Sequence, residues 1–180
     1  MMTADLTTLT YEVFVNDPPP NDRAGLLPNG EPKGGSPVAS TLIYGSEDAV
    51  LTDPAFTTDQ ASALGDWVAG KDRNLTDIFI THGHGDHWFA AGSLAERFGA
   101  PVVATAGSIA QMDVSVALRP LLWDKAYPGI PPSPITAVTG RATASRSKDT
   151  ISRWLRSATP TPTRPASSTS RISTSSSLGT

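Results

Sequence analysis

The chain has 180 residues, 38% of them hydrophobic, a net charge of −3 and no cysteine. That length and apolar content suit one domain with a buried core, or one domain with a tail. The missing cysteine excludes disulfides, iron–sulfur clusters, thiolate zinc sites and a cysteine nucleophile, and the acidic balance gives no footprint for nucleic acid.

Residues 1–10 show no basic segment followed by an apolar run, so no signal peptide is read there. No stretch approaches the eighteen or so apolar residues of a membrane span. The expected location is the cytoplasm, with neither membrane nor nucleic acid as a partner.

Tyr11 to Val15 alternates in part and reads as a strand. Asn16 to Pro37, rich in Pro, Gly, Asn and Asp, reads as a loop. Ser40 to Tyr44 and Ala49 to Thr52 flank Gly45-Ser46-Glu47-Asp48, which predicts a hairpin. Thr57 or Thr58 suits the cap of a helix running to about Ala69. Ala61, Leu64, Trp67 and Val68 keep helical spacing in it, and Gly70 is a stop. Leu75 to Thr81 reads as a buried strand. A second helix is expected from about Trp88 to Phe98, ended by Gly99 and Pro101. Val102 to Ala104 is a short strand, Ser108 to Leu118 a third helix, and Ser133 to Val138 one more strand. Alternating strands and helices indicate an α/β domain. Trp67, Trp123 and Met112 read as core. Trp88 is better placed in the core than lining a cleft.

Composition changes near residue 139. Residues 139–180 hold 11 Ser and 9 Thr, and six Arg with one Lys against Asp149 alone. That segment carries +6, leaving −9 on residues 1–138. The expected organisation is a domain over 1–138 and a disordered low-complexity tail over 139–180.

All three histidines of the chain fall in Ile80-Thr81-His82-Gly83-His84-Gly85-Asp86-His87, an H-x-H-x-D-H motif directly after a strand. His82 and His84, two apart, share a side in extended backbone. Gly83 and Gly85 let the backbone curl around an ion. Asp86 and His87 sit at the turn into the next helix and suit a second position. Imidazoles and a carboxylate fit Zn2+, one ion or two, and also iron or manganese. An ion with an open position makes hydroxide available at neutral pH. The competing reading is a solvated loop that picks up metal adventitiously.

The motif resembles the signature of the metallo-β-lactamase-fold hydrolases. Its surroundings agree over roughly Ser40 to Ala106: a strand ending Val50-Leu51-Thr52-Asp53-Pro54, a helix, a strand, the motif, and the following helix. The resemblance implies a four-layer αββα sandwich, of which this chain holds the N-terminal part. It implies His82 and His84 on a first metal and Asp86 and His87 on a second. Asp53 matches the family's strand-end aspartate, which orients a ligand; a turn or helix-capping role is the alternative. The implied reaction is attack of metal-bound hydroxide on an ester, lactone, thioester or related bond of a small-molecule substrate. Asp86 would help steer the proton. The substrate and the oligomeric state stay open.

The family also uses later ligands, and no histidine follows His87. Reading the tail one nucleotide out of frame offers a source. Residues 158–163 then admit G-H-T-D-T-D and residues 178–180 admit A-G-D, joined by an apolar strand over 167–177. The frame would slip near residues 138–143. On that reading the printed chain has half a site and little or no turnover. Two further readings stand beside it. One is a non-catalytic metal-binding module with a flexible tail. The other is a di-iron centre that reduces oxygen or nitric oxide, which normally needs a flavin domain or an electron-transfer partner.

Overall fold

The computed structural model describes residues 9–21, 25–31, 33, 36–132 and 135–139. Six strands form one mixed sheet: β1 (Thr10–Asn16), β2 (Val38–Tyr44), β3 (Asp48–Thr52), β4 (Asn74–Ile80), β5 (Val102–Ala104) and β6 (Val138–Thr139), side by side in chain order. The first three are antiparallel neighbours; β3 to β6 run parallel. Three helices complete the described residues: α1 (Thr58–Ala69), α2 (Ala91–Phe98) and α3 (Ala106–Leu118). This is the α/β class that the alternating pattern predicts.

The turn chemistry accounts for the hairpin. Between β2 and β3 the Gly45 N–H donates to the Asp48 carbonyl at 2.9 Å, and Leu42 then faces Leu51 across the pair. The parallel steps need crossovers, which α1, α2 and α3 supply. At the start of α1, Thr57 is the cap. Its hydroxyl accepts from the Gln60 N–H, while the Gln60 side chain accepts from the Thr57 N–H at 3.1 Å. This reciprocal box satisfies two N–H groups that the helix itself leaves free.

Register places Phe14, Leu42, Leu51, Ile78, Ile80, Val102 and Ala104 on one face. Apart from Phe14, which packs against its edge, these residues are buried in one core with Leu64 and Val68 of α1 and Leu94 of α2. The Trp67 ring lies tilted against Phe14, with centroids 5.4 Å apart. Trp88 and Met112 are buried, and Trp123 packs against Phe56 and Phe89 at the margin. The core assignments of Trp88 and Met112 therefore hold, while Trp67 and Trp123 are partly buried and pack against the core from outside. The opposite face is also apolar, yet Tyr11, Val13, Val15 and Val138 on it are 70%, 50%, 59% and 52% exposed. An apolar sheet face of this kind suits association.

Several boundaries differ from expectation; α3, expected from Ser108, starts at Ala106 behind its cap Thr105. The strand before the motif ends at Ile80, because Thr81 leaves the ladder to bond with Asp53. The helix expected from Trp88 begins at Ala91 instead. A short 3-10 turn over Gly85–His87 precedes it, and its cap residue Ala90 has no side-chain acceptor to start the helix earlier. The strand expected over 133–138 shares only Val138 with β6; residues 135–137 lie in no strand, and residues 133 and 134 lie outside the described set. So does the tail, apart from Thr139, and with it every reading made of residues 140–180. Among the described residues no helix is long and apolar enough to cross a membrane.

Candidate metal centre

Parallel pairing decides where the site lies. Thr52 pairs with Phe79, and Phe79 with Val103, so β3, β4 and β5 deliver their carboxyl ends to one edge of the sheet. Open α/β sheets place ligands at that edge. Asp53 follows β3, the segment Thr81 to His87 follows β4, and α3 begins just after β5.

The edge brings the motif's side chains together. The ring centroids of His82 and His87 are 4.2 Å apart, and those of His82 and His84 are 4.9 Å apart. Ligand atoms of Asp53, His82 and His87 lie within 4.8 Å of one another. His84 sits against His82 but outside that closest set, and is exposed. Asp86 approaches from the other side, its carboxylate 3.8 Å from His87 Nε2. All five residues singled out by sequence thus gather at one edge, with Asp53 bonded to Thr81 and close to His82 and His87.

Asp53 is the pivot. It is buried, and its backbone is left-handed, with φ at 49°. Aspartate tolerates that region better than most residues. The Ser40 hydroxyl donates to its carbonyl at 2.9 Å. Its carboxylate accepts from the Thr81 N–H at 2.8 Å and from the Thr81 hydroxyl at 2.7 Å. Thr81 Oγ1 also lies 2.9 Å from His82 Nδ1. The Thr81 hydroxyl has one proton, and the acceptor-only carboxylate takes it. His82 Nδ1 must then be the donor to Thr81, which leaves Nε2 with its lone pair for a ligand. Thr81 is the site residue that sequence reading passes over; its place between strand and motif was the available signal.

The electrostatics differ between the two central histidines. Burial holds His82 below the ordinary imidazole range, helped by the neighbouring His87, against a smaller pull from Asp53. His87 is raised, first by the Asp53 carboxylate facing it and then by Asp86, while burial opposes. His87 Nδ1 is buried without a hydrogen-bond partner, and stands 3.6 Å from Asp53 Oδ2. An orphaned buried ring nitrogen beside a carboxylate and a second imidazole is the donor set of a divalent cation site. The residues fit the group.

A pH dependence follows. The raised His87 keeps its proton to higher pH than an ordinary imidazole, and a bound ion must displace that proton. Zinc affinity should therefore fall by roughly tenfold per pH unit once pH drops below the His87 value. Competition titrations at pH 8 and pH 6 check this; equal affinities would remove His87 from the ligand set.

A mixed sheet with a histidine–aspartate cluster at the carboxyl edge of its parallel strands makes an α/β protein with a candidate metal site. The chain belongs to the metallo-beta-lactamase superfamily, whose sequence model matches residues 34–163. This is a family of metal-dependent hydrolases. A UPF0173 metal-dependent hydrolase of Rhizobium etli is 39% identical over 64 residues, covering 36% of this chain and 27% of that protein. Among solved structures, the B3 metallo-beta-lactamase BLEG-1 is 20% identical with a TM-score of 0.43, covering 69% of this chain and 52% of that one. ETHE1 from Myxococcus xanthus is 38% identical with a TM-score of 0.34, over 38% of this chain and 30% of that one. The chain thus spans about a quarter of its curated relative and about half of the first of these structures.

Proposed function

We propose that this edge is the ion-holding half of a hydrolytic centre acting on an ester, lactone, thioester or related bond of a small molecule. The observation that carries the reading is the convergence of all three histidines with Asp53 and Asp86 at one sheet edge. His82, His84, Asp86 and His87 would hold one or two divalent ions, with zinc the first candidate and iron or manganese compatible with the same donors. When bound, such an ion supplies an activated water and positive charge for a carbonyl or phosphoryl oxygen.

The chain's own residues do the rest. Asp53, through Thr81, fixes the ring and tautomer of His82. It also sets the charge felt by His87. Asp86, half-buried beside His87, is placed to take up or return a proton at its carboxylate.

We further propose that the later ligands of the full site are encoded in the alternative frame of the tail. The support is its composition and the two ligand-like segments in the correct order. The family match runs to residue 163 in the given frame, past the suggested slip at 138–143, which weighs against a slip there; sequencing the coding DNA through codons 130–180 is the direct check. The printed chain and a frame-restored chain should then be compared on p-nitrophenyl acetate, a γ-lactone and bis-p-nitrophenyl phosphate with added zinc. Little or no turnover is expected from the first and metal-dependent turnover from the second. Robust hydrolysis by the printed chain would contradict the half-site reading. Metal binding without turnover in both would favour the non-catalytic module.

A further inference from the structure

Helix α3 touches the metal loop through an unusual set of side chains. Ser108, Gln111 and Ser115 lie at i, i+3 and i+7, on one stripe of the helix. Ser108 and Ser115 are buried. Serine is a weaker helix former than alanine, so a helix that needed only packing would favour alanine at those places.

Each of the three has a partner in the backbone around His82. The Ser108 hydroxyl donates to the Thr81 carbonyl at 3.0 Å. The Gly83 N–H donates to Gln111 Oε1 at 3.3 Å. The Ser115 hydroxyl donates to the Gly83 carbonyl at 2.7 Å, an oxygen that also accepts from the Trp88 indole at 3.1 Å. Three consecutive peptide units, from Thr81–His82 to Gly83–His84, are therefore each held by one residue of α3. The Ser108 hydroxyl is itself aligned. It lies 2.9 Å from the hydroxyl of Thr105, the residue that caps α3, so the brace runs back to the end of β5. Contact is close: a Cβ on Gly83 would stand 2.5 Å from the Met112 nitrogen. Only glycine admits this approach.

We propose that Ser108, Gln111 and Ser115 are positioning residues for the metal site. The α3 stripe sets the path of the Thr81–His84 backbone, and with it the spacing of His82 and His84 about an ion. Asp53 and Thr81 fix the ring of His82 from one side; α3 fixes its main chain from the other. This inference rests on the metal reading given above.

The test uses the full chain, with cobalt(II) as the probe. Affinity comes from competition with a chelator, and ligand geometry from the visible absorption bands. The variants are S115A and the double variant Q111A/S115A. V114G is the control, because Val114 lies on the same helix and is 58% exposed. Glycine is a poorer helix former than valine, so it loosens the helix there without adding any group toward the loop. S115A should weaken cobalt binding several-fold. The double variant should weaken it by about tenfold or more and alter the absorption bands, in the range seen when groups that orient ligands are removed. V114G should lower Tm and leave both readouts unchanged. Wild-type affinity and spectrum in the double variant, or losses no larger than those of V114G, would overturn the inference while leaving the metal reading intact. Failure of the unaltered chain to bind cobalt would overturn both.

Discussion

Gly83→Ala should destabilise the metal-free chain by about 3 kcal/mol or more, among the largest effects of any single methyl group in the molecule. The added carbon would stand 2.3 Å from Gln111 Cβ, 2.5 Å from the Met112 nitrogen and 2.6 Å from the Gln111 carbonyl carbon. Two of those atoms are main chain of a helix and cannot swing aside. Relief requires the loop to leave α3. That surrenders the bonds from Ser115 and Gln111, each worth roughly 1 kcal/mol net and more if a buried group is left unpaired. Gly85 is a milder case. Its added carbon would meet the ring of Phe89 at 2.3 Å, side-chain atoms within an aromatic cluster that can shift at a cost. Urea unfolding of wild type, G83A and G85A gives the comparison. A G83A loss under 1 kcal/mol would mean that the loop does not rest on α3.

Asp53→Ala should be costly in two separable ways. It strips acceptors from the Thr81 N–H and hydroxyl, and it leaves His87 Nδ1 facing no charge. It also puts alanine at a φ of 49°, where a non-glycine residue without a short polar side chain is disfavoured by about 1 kcal/mol or more. Together with an unpaired buried N–H, a loss of about 3 kcal/mol is expected. Asp53→Asn keeps an oxygen for Thr81 and tolerates the left-handed backbone, so its stability loss should be much smaller. It removes the charge, however, and zinc affinity should still fall by about tenfold to a hundredfold. Unfolding curves and zinc competition on the two variants separate backbone from charge. Equal zinc affinity in D53N and wild type would show that Asp53 serves only the turn.

Much of this was legible in residues alone. The hairpin around Gly45 to Asp48, the helix starting after Thr57 and the strand before the motif follow from turn chemistry, capping and period. The clustering of His82, His84, Asp86 and His87 was visible because short spacing after a strand leaves few other places for them. What distance in sequence hides is the rest of the site. Asp53 lies 28 residues before its partner Thr81, and only parallel pairing of β3 with β4 brings them together. Whether Asp53 caps a turn or serves the metal could not be told from its type, since its carboxylate holds the distant Thr81 and faces His87 as well. The serines of α3 were equally opaque: Ser108, Gln111 and Ser115 read as ordinary helix positions until Gly83 is seen beneath them. The early start given to α2 failed for a local reason, because Gly85 to His87 wind as a 3-10 turn that the helical spacing of Ala91, Leu94 and Phe98 does not reveal.

The most direct test of the central claim is a zinc titration of the metal-free full chain beside the double variant H82A/H87A, reading bound metal and Tm together. Saturable binding with a rise in Tm for the unaltered chain, both lost in the variant, is the predicted result. Absence of binding by the unaltered chain, or equal binding by the variant, would contradict a metal centre at this edge of the sheet.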